Sequence, residues 1–352
     1  MKTIAWIHSH LSVVPLAMTA VAMLLSTAEH GAKAQETEGD SSEIIIVNND
    51  DPGEGLNDPT PADPVAGNPG LTLGEQRLAV FEAAAEVWEG ILVSDVPIEV
   101  QAQFDELACT SNAGTLAQAG PTLFFADFPG AVVPGTIYAS AQANQQAGVD
   151  LAPDDSDLLA TFNSRIGAPD CLAGSSFFLG IDDTPAPDGT IGLFDTILHE
   201  MAHGLGFLSV VNIETGAKLV GLDDIFSNNL EDQTLGPWPG LTDEERAASA
   251  ISEGDLQWTG ANVRACAAQV LQEGGATDGD VLMFAPNPLR PGSSVSHFDT
   301  SLSPDELMEP FATETSILDL TTTAFADMGW PISEAAAEQI CGAPAQMADS
   351  LQ

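Results

Sequence analysis

The clearest helical pattern in the chain begins at Thr72. Thr72 and Glu75 have the spacing of a capping box, in which two side chains satisfy backbone amides at a helix N-terminus. Apolar residues then recur at steps of three and four, which places them on one face of a helix. The predicted buried face consists of Leu78, Phe81, Ala85, Trp88 and Leu92.

A period-two pattern follows this helix. Apolar and polar residues alternate over residues 98–104, as expected for a half-buried strand. A second strand is predicted at residues 177–181. Further helices are predicted at residues 190–205, 242–252, 261–272 and 319–328. Because helices and strands are mixed without a regular βαβ alternation, the predicted fold class is α+β.

The N-terminus has the features of a secretory signal peptide over residues 1–34. Lys2 precedes an apolar stretch at residues 11–25, and Ala32-Lys33-Ala34 offers a small-x-small cleavage site. A cut after Ala28 is the alternative. An uncleaved membrane anchor is disfavoured, because the apolar stretch is shorter than the roughly 20 residues that a span needs. The mature protein is predicted to be secreted, or periplasmic in a bacterium that retains it, with no membrane contact.

The rest of the chain divides by composition. Residues 35–70 are acidic and rich in Asp, Pro and Gly, which predicts turns and loops. Three interpretations stay open for this segment: a pro-segment that is removed, an ordered calcium loop, or a linker. Residues 71–342 are predicted to form the functional domain, and residues 343–352 a C-terminal tail.

Charge limits the possible partners. The 352-residue chain has 52 acidic and only 8 basic residues, for a formal net charge of -44. Such a chain repels nucleic acid and anionic membrane surfaces, which excludes both as partners. The charge is typical of a solvated surface suited to salt. It is also compatible with calcium binding, for which Asp182, Asp183 and Asp188 are candidate ligands and an ordinary turn is the alternative.

Four cysteines remain after the signal peptide, and an even number in an exported chain indicates disulfides. Three pairings are possible. We prefer Cys109–Cys171 with Cys266–Cys341, because each pair then stays on one side of the histidine motif described next. The absence of CxxC or CxxH spacing in the sequence argues against a cysteine-based zinc site.

The segment His199-Glu200-Met201-Ala202-His203 carries the candidate chemistry. On a helix, residues four apart share a face, so His199 and His203 can direct two imidazoles at one metal ion. Glu200 can reach a metal-bound water, whose pKa zinc lowers to about 7. Glu200 is therefore the predicted general base.

A catalytic zinc needs three protein ligands and an open fourth position. The chain has six histidines, and His8, His10 and His30 fall within the predicted signal peptide. The mature chain then keeps only His199, His203 and His297. His297 is therefore predicted as the third zinc ligand.

The sequence His199-Glu200-x-x-His203-x-x-Gly206-Phe207 resembles the active-site helix of metzincin metallopeptidases, and most closely the leishmanolysin-like enzymes of the secreted bacterial type. Ser296-His297-Phe298-Asp299 and Glu306-Leu307-Met308-Glu309-Pro310 resemble the family's third-ligand segment and methionine turn. The resemblance implies that His297 is the third ligand, that Met308 lies beneath the metal, and that Gly206 permits the turn ending the helix.

The same resemblance implies a two-lobed peptidase with a mixed twisted sheet. Its N-terminal lobe would span about residues 71–207 and its C-terminal lobe, with the methionine turn, about residues 208–342. The stretch between His203 and His297 is longer than the motif requires and implies an insertion.

The predicted function is a secreted zinc-dependent endopeptidase, acting on protein or peptide substrates that bind by strand addition to a sheet edge. One alternative is an exported binding protein that keeps a non-catalytic metal site. Another is an acidic calcium-binding matrix protein, which would explain the charge but not the histidine pattern. A water molecule in the fourth metal position would indicate catalysis, whereas a protein ligand there would indicate a structural site.

Overall fold

A computed structural model describes residues 41–275, 279–311 and 317–342. The predicted signal peptide and the predicted C-terminal tail lie outside these residues. Within them the chain forms seven α-helices and open mixed sheets, which confirms the α+β class. None of the helices in this part of the chain is long and apolar enough to cross a membrane.

The helices are α1 (Leu73–Ile91), α2 (Ser140–Ala147), α3 (Leu193–Gly204), α4 (Asp243–Ser249), α5 (Ala261–Val270), α6 (Asp319–Asp327) and α7 (Glu334–Gln339). The strands of the first half are β1 (Ile44–Asn48), β2 (Ile98–Asp105), β3 (Ala117–Pro121), β4 (Phe124–Ala126), β5 (Thr136–Ala139), β6 (Leu158–Asn163), β7 (Ser176–Phe178) and β8 (Thr190–Gly192). Those of the second half are β9 (Asp223–Asp224), β10 (Leu230–Asp232), β11 (Gly236–Pro237), β12 (Leu256–Trp258) and β13 (Val281–Leu282).

A four-stranded mixed sheet with the order β1-β2-β6-β3 supports the rest of the fold. Strands β1, β2 and β6 are parallel, and β3 runs antiparallel to β6 at one edge. The predicted alternation in β2 is confirmed, because Val100, Ala102 and Phe104 are buried whereas the residues between them are partly exposed. One face of the sheet therefore carries the core, and the other is accessible to water.

Helix α1 covers this core face. The predicted capping box is present, with Thr72 accepting from the Glu75 amide and Glu75 accepting from the Thr72 amide. Phe81 packs edge-on against Phe162 of β6 at 5.0 Å. The Trp88 indole donates to the Leu198 carbonyl of α3 at 3.3 Å, which joins the two helices that share the sheet.

The segment before α1 is packed onto the same sheet. β1 pairs in parallel with β2 from Ile44↔Ile98 onward. The Asp50 carboxylate accepts from the Leu56 amide at 2.7 Å and from the Phe104 amide of β2 at 2.8 Å. Residues 44–57 thus share backbone and side-chain hydrogen bonds with the strands that follow them.

A second sheet, with the order β11-β10-β12-β13, lies between the two histidine segments, where the sequence indicates an insertion. Phe207, which follows α3, joins this region to the core. Its ring stacks on Trp258 at 6.1 Å and meets the Phe226, Phe298 and Phe325 rings edge-on. Fully buried aromatic rings therefore hold this region against α3 and α6.

The preferred disulfide pairing is confirmed: Cys109 bonds to Cys171, and Cys266 bonds to Cys341. The second bond connects α5 to the segment after α7. Two disulfides indicate an oxidising environment for the mature chain.

Two predicted elements before the histidine motif have different bounds in the structure. Residues 190–192 were expected to begin a helix, but they form β8, which pairs with β7 from Ser176↔Thr190 onward. Helix α3 therefore begins at Leu193, with Gly192 as its N-cap. The strand predicted at residues 177–181 is the shorter β7. Pairing between two short strands outweighed the helical pattern of the sequence at this point.

Candidate metal centre

Helix α3 presents His199 and His203 on one buried face, as their spacing predicts. The side chains of both are at most 1% exposed. The helix lies directly on the sheet at Gly204, where an added Cβ would come within 2.4 Å of the Leu158 side chain. A side chain at this position would force α3 away from β6, so the glycine permits the close approach.

The end of α3 orients His203. The Phe207 amide donates to the Ala202 carbonyl at 2.9 Å and the Gly206 amide to the His203 carbonyl at 3.1 Å. This pair of bonds is a Schellman motif, which needs a residue with positive φ, and Gly206 has φ 118°. The turn brings the Phe207 carbonyl back to His203, whose Nδ1 donates to it at 2.7 Å.

His297 reaches the same place from an irregular segment. The Phe284 amide donates to the His297 carbonyl at 2.9 Å, and the Asp299 amide to the Leu282 carbonyl at 2.9 Å, so this segment pairs with the chain continuing from β13. The preceding turn returns the Ser293 carbonyl to the imidazole, and His297 Nδ1 donates to it at 2.8 Å.

The turn predicted at Met308 lies beside His199 and beside the segment that carries His297. The Leu307 carbonyl accepts from His199 Nδ1 at 2.7 Å, and the Met308 carbonyl accepts from the Phe298 amide at 2.9 Å. Met308 itself is fully buried. The Leu307 carbonyl thus contacts His199, and the next carbonyl, that of Met308, contacts Phe298, which follows His297.

The three imidazoles converge through their Nε2 atoms. The separations are 3.1 Å between His203 and His199, and 3.2 Å from each of them to His297. Each Nδ1 faces a carbonyl oxygen, which can only accept, so each Nδ1 carries a proton. In the neutral rings the Nε2 atoms then direct lone pairs at one point.

This arrangement fits a metal ion. Tetrahedral zinc with bonds of about 2.0–2.1 Å separates two ligand nitrogens by about 3.3–3.4 Å, close to the distances above. The carbonyl contacts at Nδ1 are the outer contacts that orient metal-binding histidines. The three histidines form a buried group that could hold a metal ion, and the geometry alone does not identify the metal.

Glu200 lies one residue along α3 and is completely buried. Neither carboxyl oxygen makes a hydrogen bond with a described group of the protein. Burial raises the pKa of the Glu200 carboxyl well above its ordinary value, and the nearby Ala119 backbone N–H opposes this shift. A buried carboxyl without a compensating partner costs free energy and often marks a functional site.

Ala119 belongs to β3, the edge strand nearest to α3. The Thr122 amide donates to the Asp157 carbonyl, and the Asn163 amide donates to the Leu116 carbonyl. The backbone groups of the even-numbered residues in and beside β3 therefore point toward β6. Those of Ala117 and Ala119 alternate with them and point away from β6, although both residues are buried, Ala117 completely. Among the described residues, β6 is the only strand paired with β3.

A groove of about 740 Å³ runs past this edge. Residues 118–122 line it on the side of the sheet, and residues 208–214 and 217–220 also contribute to its walls. Ser294 and Ser296, which precede His297, line it as well. The groove therefore extends from the edge strand to the segment that carries the third histidine.

The acidic calcium candidates are not brought together. Asp182, Asp183 and Asp188 lie in an exposed loop, and Asp182 accepts from the Thr184 amide at 2.9 Å, as in an ordinary turn. They are not among the described groups whose ligand atoms lie within 4.8 Å of one another. Calcium binding there stays a prediction. Cys266, Asp319 and Cys341 do form such a group, but both sulfurs are in a disulfide.

Sequence reasoning did not identify the backbone groups of the site. The Phe207, Ser293 and Leu307 carbonyls orient the imidazoles, and the Ala119 amide faces Glu200. Backbone atoms have no sequence signal of their own, although Gly206 indicated the turn that places Phe207.

Comparison with protein-family models, curated proteins and solved structures found no match to this chain.

Proposed function

We propose that the protein is a secreted zinc-dependent endopeptidase of the metzincin type, with His199, His203 and His297 as metal ligands and Glu200 as general base. The observation that carries the proposal is the convergence of three Nε2 atoms at 3.1–3.2 Å on a helix that also carries the buried carboxyl of Glu200. A purely structural three-histidine site has no need of that carboxyl.

The residues of the site would have different roles in the reaction. His199, His203 and His297 would hold the zinc ion, which would supply polarisation of a carbonyl group and a water molecule of near-neutral pKa. A cation held by the histidines would favour the ionised form of Glu200, and this carboxylate would accept a proton from the attacking water and return it to the leaving amine. The Phe207, Ser293 and Leu307 carbonyls fix the three rings, and burial of the whole group excludes bulk water.

The side of β3 that pairs with no described strand supports a peptide substrate. An extended peptide that pairs with the outward backbone of Ala119, which lines the groove, would continue the sheet there. Ala119 is also the residue whose amide faces Glu200, so pairing at this edge would place the peptide backbone next to the general base. Unfolded or extended protein segments are therefore the proposed substrates.

The test measures bound metal and hydrolysis together. The mature chain and His297→Ala are purified, their metal content is determined by mass spectrometry, and cleavage of a reduced, unfolded protein is followed. We expect about one zinc per wild-type chain and cleavage, with both lost in His297→Ala. Zinc that is retained in His297→Ala would contradict the proposed ligand set.

One observation favours the alternative of a non-catalytic metal site. His199, Glu200, His203 and His297 are all at most 1% exposed, as in a closed structural site. A wild-type chain that binds one zinc but cleaves no unfolded protein would support this alternative. Cleavage that depends on Glu200 would exclude it.

A further inference from the structure

Two buried acidic residues enclose the methionine turn, and neither is a ligand or a base in the proposed mechanism. Glu306 is 1% and Glu309 3% exposed. Burying two carboxyls costs free energy unless hydrogen bonds compensate for the lost water. Their positions on either side of Leu307 and Met308 raise the question of what they hold in place.

Glu309 closes the turn on itself. Its Oε1 accepts from the Glu306 amide at 3.0 Å, and its own amide donates to the Glu306 carbonyl at 3.2 Å. The backbone is therefore joined twice across Leu307 and Met308. Such a doubly closed turn limits how far the two enclosed carbonyls can rotate.

Glu306 anchors the turn to α6. Its carboxyl accepts from the Leu320 amide at 2.7 Å and from the Thr321 hydroxyl at 3.0 Å. These groups lie in the first turn of α6, whose own N-cap residue, Leu318, provides no side-chain cap. A distant carboxyl thus supplies the cap that the local sequence lacks, and the helix in return fixes the position of the turn.

We propose that Glu306 and Glu309 are positioning residues of the metal centre, acting through the Leu307 and Met308 carbonyls. The first carbonyl orients the His199 ring, and the second holds Phe298, the residue after His297. The inference rests on the proposed zinc binding by these histidines. Loss of either acidic side chain would loosen two of the three ligands while leaving all three in the chain.

The test compares zinc affinity with stability. Zinc dissociation constants are measured by competition with a chromophoric chelator for wild type, Glu306→Ala, Glu309→Ala and Glu306→Gln. Contacts that orient metal-binding histidines change metal affinity by about 10- to 100-fold, so this loss is expected for both alanine variants. Glu306→Gln keeps an oxygen acceptor for the Leu320 amide and should restore affinity to within a few-fold.

A matched control separates positioning from general stability. Ser333 is also a buried cap, which accepts from the Ala336 amide and donates to the Gly90 carbonyl, and so joins α7 to α1. Ser333→Ala should lower the melting temperature without changing zinc affinity. The visible spectrum of the cobalt(II)-loaded protein, which reports ligand geometry, should change in Glu306→Ala and stay unchanged in Ser333→Ala.

The outcomes are distinct. If wild type binds zinc and Glu306→Ala binds it equally well, or if Ser333→Ala loses as much affinity, the positioning role is wrong and the proposed function stands. If wild type binds no zinc, the positioning role and the proposed function are both wrong. Should Glu306→Ala fail to fold, Thr321→Val removes only one hydrogen bond to Glu306, and a two- to fivefold weaker affinity, about the worth of one bond, is expected. An unchanged affinity in that variant overturns the inference.

Discussion

Gly206→Ala tests whether the turn after α3 orients His203. Gly206 has φ 118°, which an alanine rarely adopts, yet the added Cβ would meet only ordinary contacts, 3.5 Å from Ala139 Cβ and 3.8 Å from Gln142 Oε1. The perturbation is therefore backbone strain without a clash. Strain of this kind costs about 1–3 kcal/mol. For a domain of about 300 residues this corresponds to about 2–5 °C in melting temperature.

The strain falls where the metal centre is most sensitive to it. Relaxing φ at Gly206 moves the Phe207 carbonyl away from His203 Nδ1, which it contacts at 2.7 Å. We therefore expect zinc affinity to fall by about 10- to 100-fold in addition to the stability loss. Thermal denaturation of the zinc-free protein measures the first effect, and chelator competition measures the second.

Gly236→Ala is the matched control. Gly236 has φ 103°, with no atom within 4 Å of an added Cβ, and it lies where β10 pairs with β11. This variant should lose similar stability but keep its zinc affinity. Wild-type affinity in Gly206→Ala, or an equal loss of affinity in Gly236→Ala, would refute the reasoning.

Three further predictions concern stability. Burial raises the pKa of Asp157 from 3.8 to about 6, so the folded state holds a proton that the unfolded state has lost, and this group lowers stability by up to about 3 kcal/mol as pH rises from 4 to 6. In denaturant unfolding, stability should fall less over this range in Asp157→Asn than in wild type, and an identical fall in both proteins would be contrary to the assignment. The net charge of -44 predicts a higher melting temperature in 1 M than in 0.1 M salt, because salt screens self-repulsion. A melting temperature that is the same at both salt concentrations, whether or not calcium is present, would remove this idea. Removing residues 35–70 deletes β1 and the Asp50 contacts, so we expect loss of cooperative unfolding by circular dichroism; an unchanged melting temperature would indicate a removable pro-segment.

Several elements were predictable because a local signal and its tertiary role agree. The capping box at Thr72 and the period-two pattern of β2 both describe residues that bury one face against the core. The spacing of His199 and His203 likewise required only a helix. Pairing of the four cysteines followed from keeping each disulfide on one side of the motif.

The edge strand β3 could not be predicted in the same way. Residues 117–121, Ala-Gln-Ala-Gly-Pro, contain no branched or aromatic side chain and end in two residues that disfavour strands. They are extended because they pair with β6, a contact between distant parts of the chain. The role of Glu306 was hidden for a related reason, since its partners lie on α6.

The most direct test of the central claim is the cleavage rate of Glu200→Ala relative to wild type. Both proteins are loaded to the same zinc content and given the same reduced, unfolded protein. General-base catalysis contributes about 10²- to 10⁴-fold, so we predict that the zinc-loaded variant loses at least about 100-fold of the wild-type rate. Equal cleavage by the two proteins would contradict the assignment of Glu200, and an absence of cleavage in zinc-loaded wild type would contradict the peptidase itself.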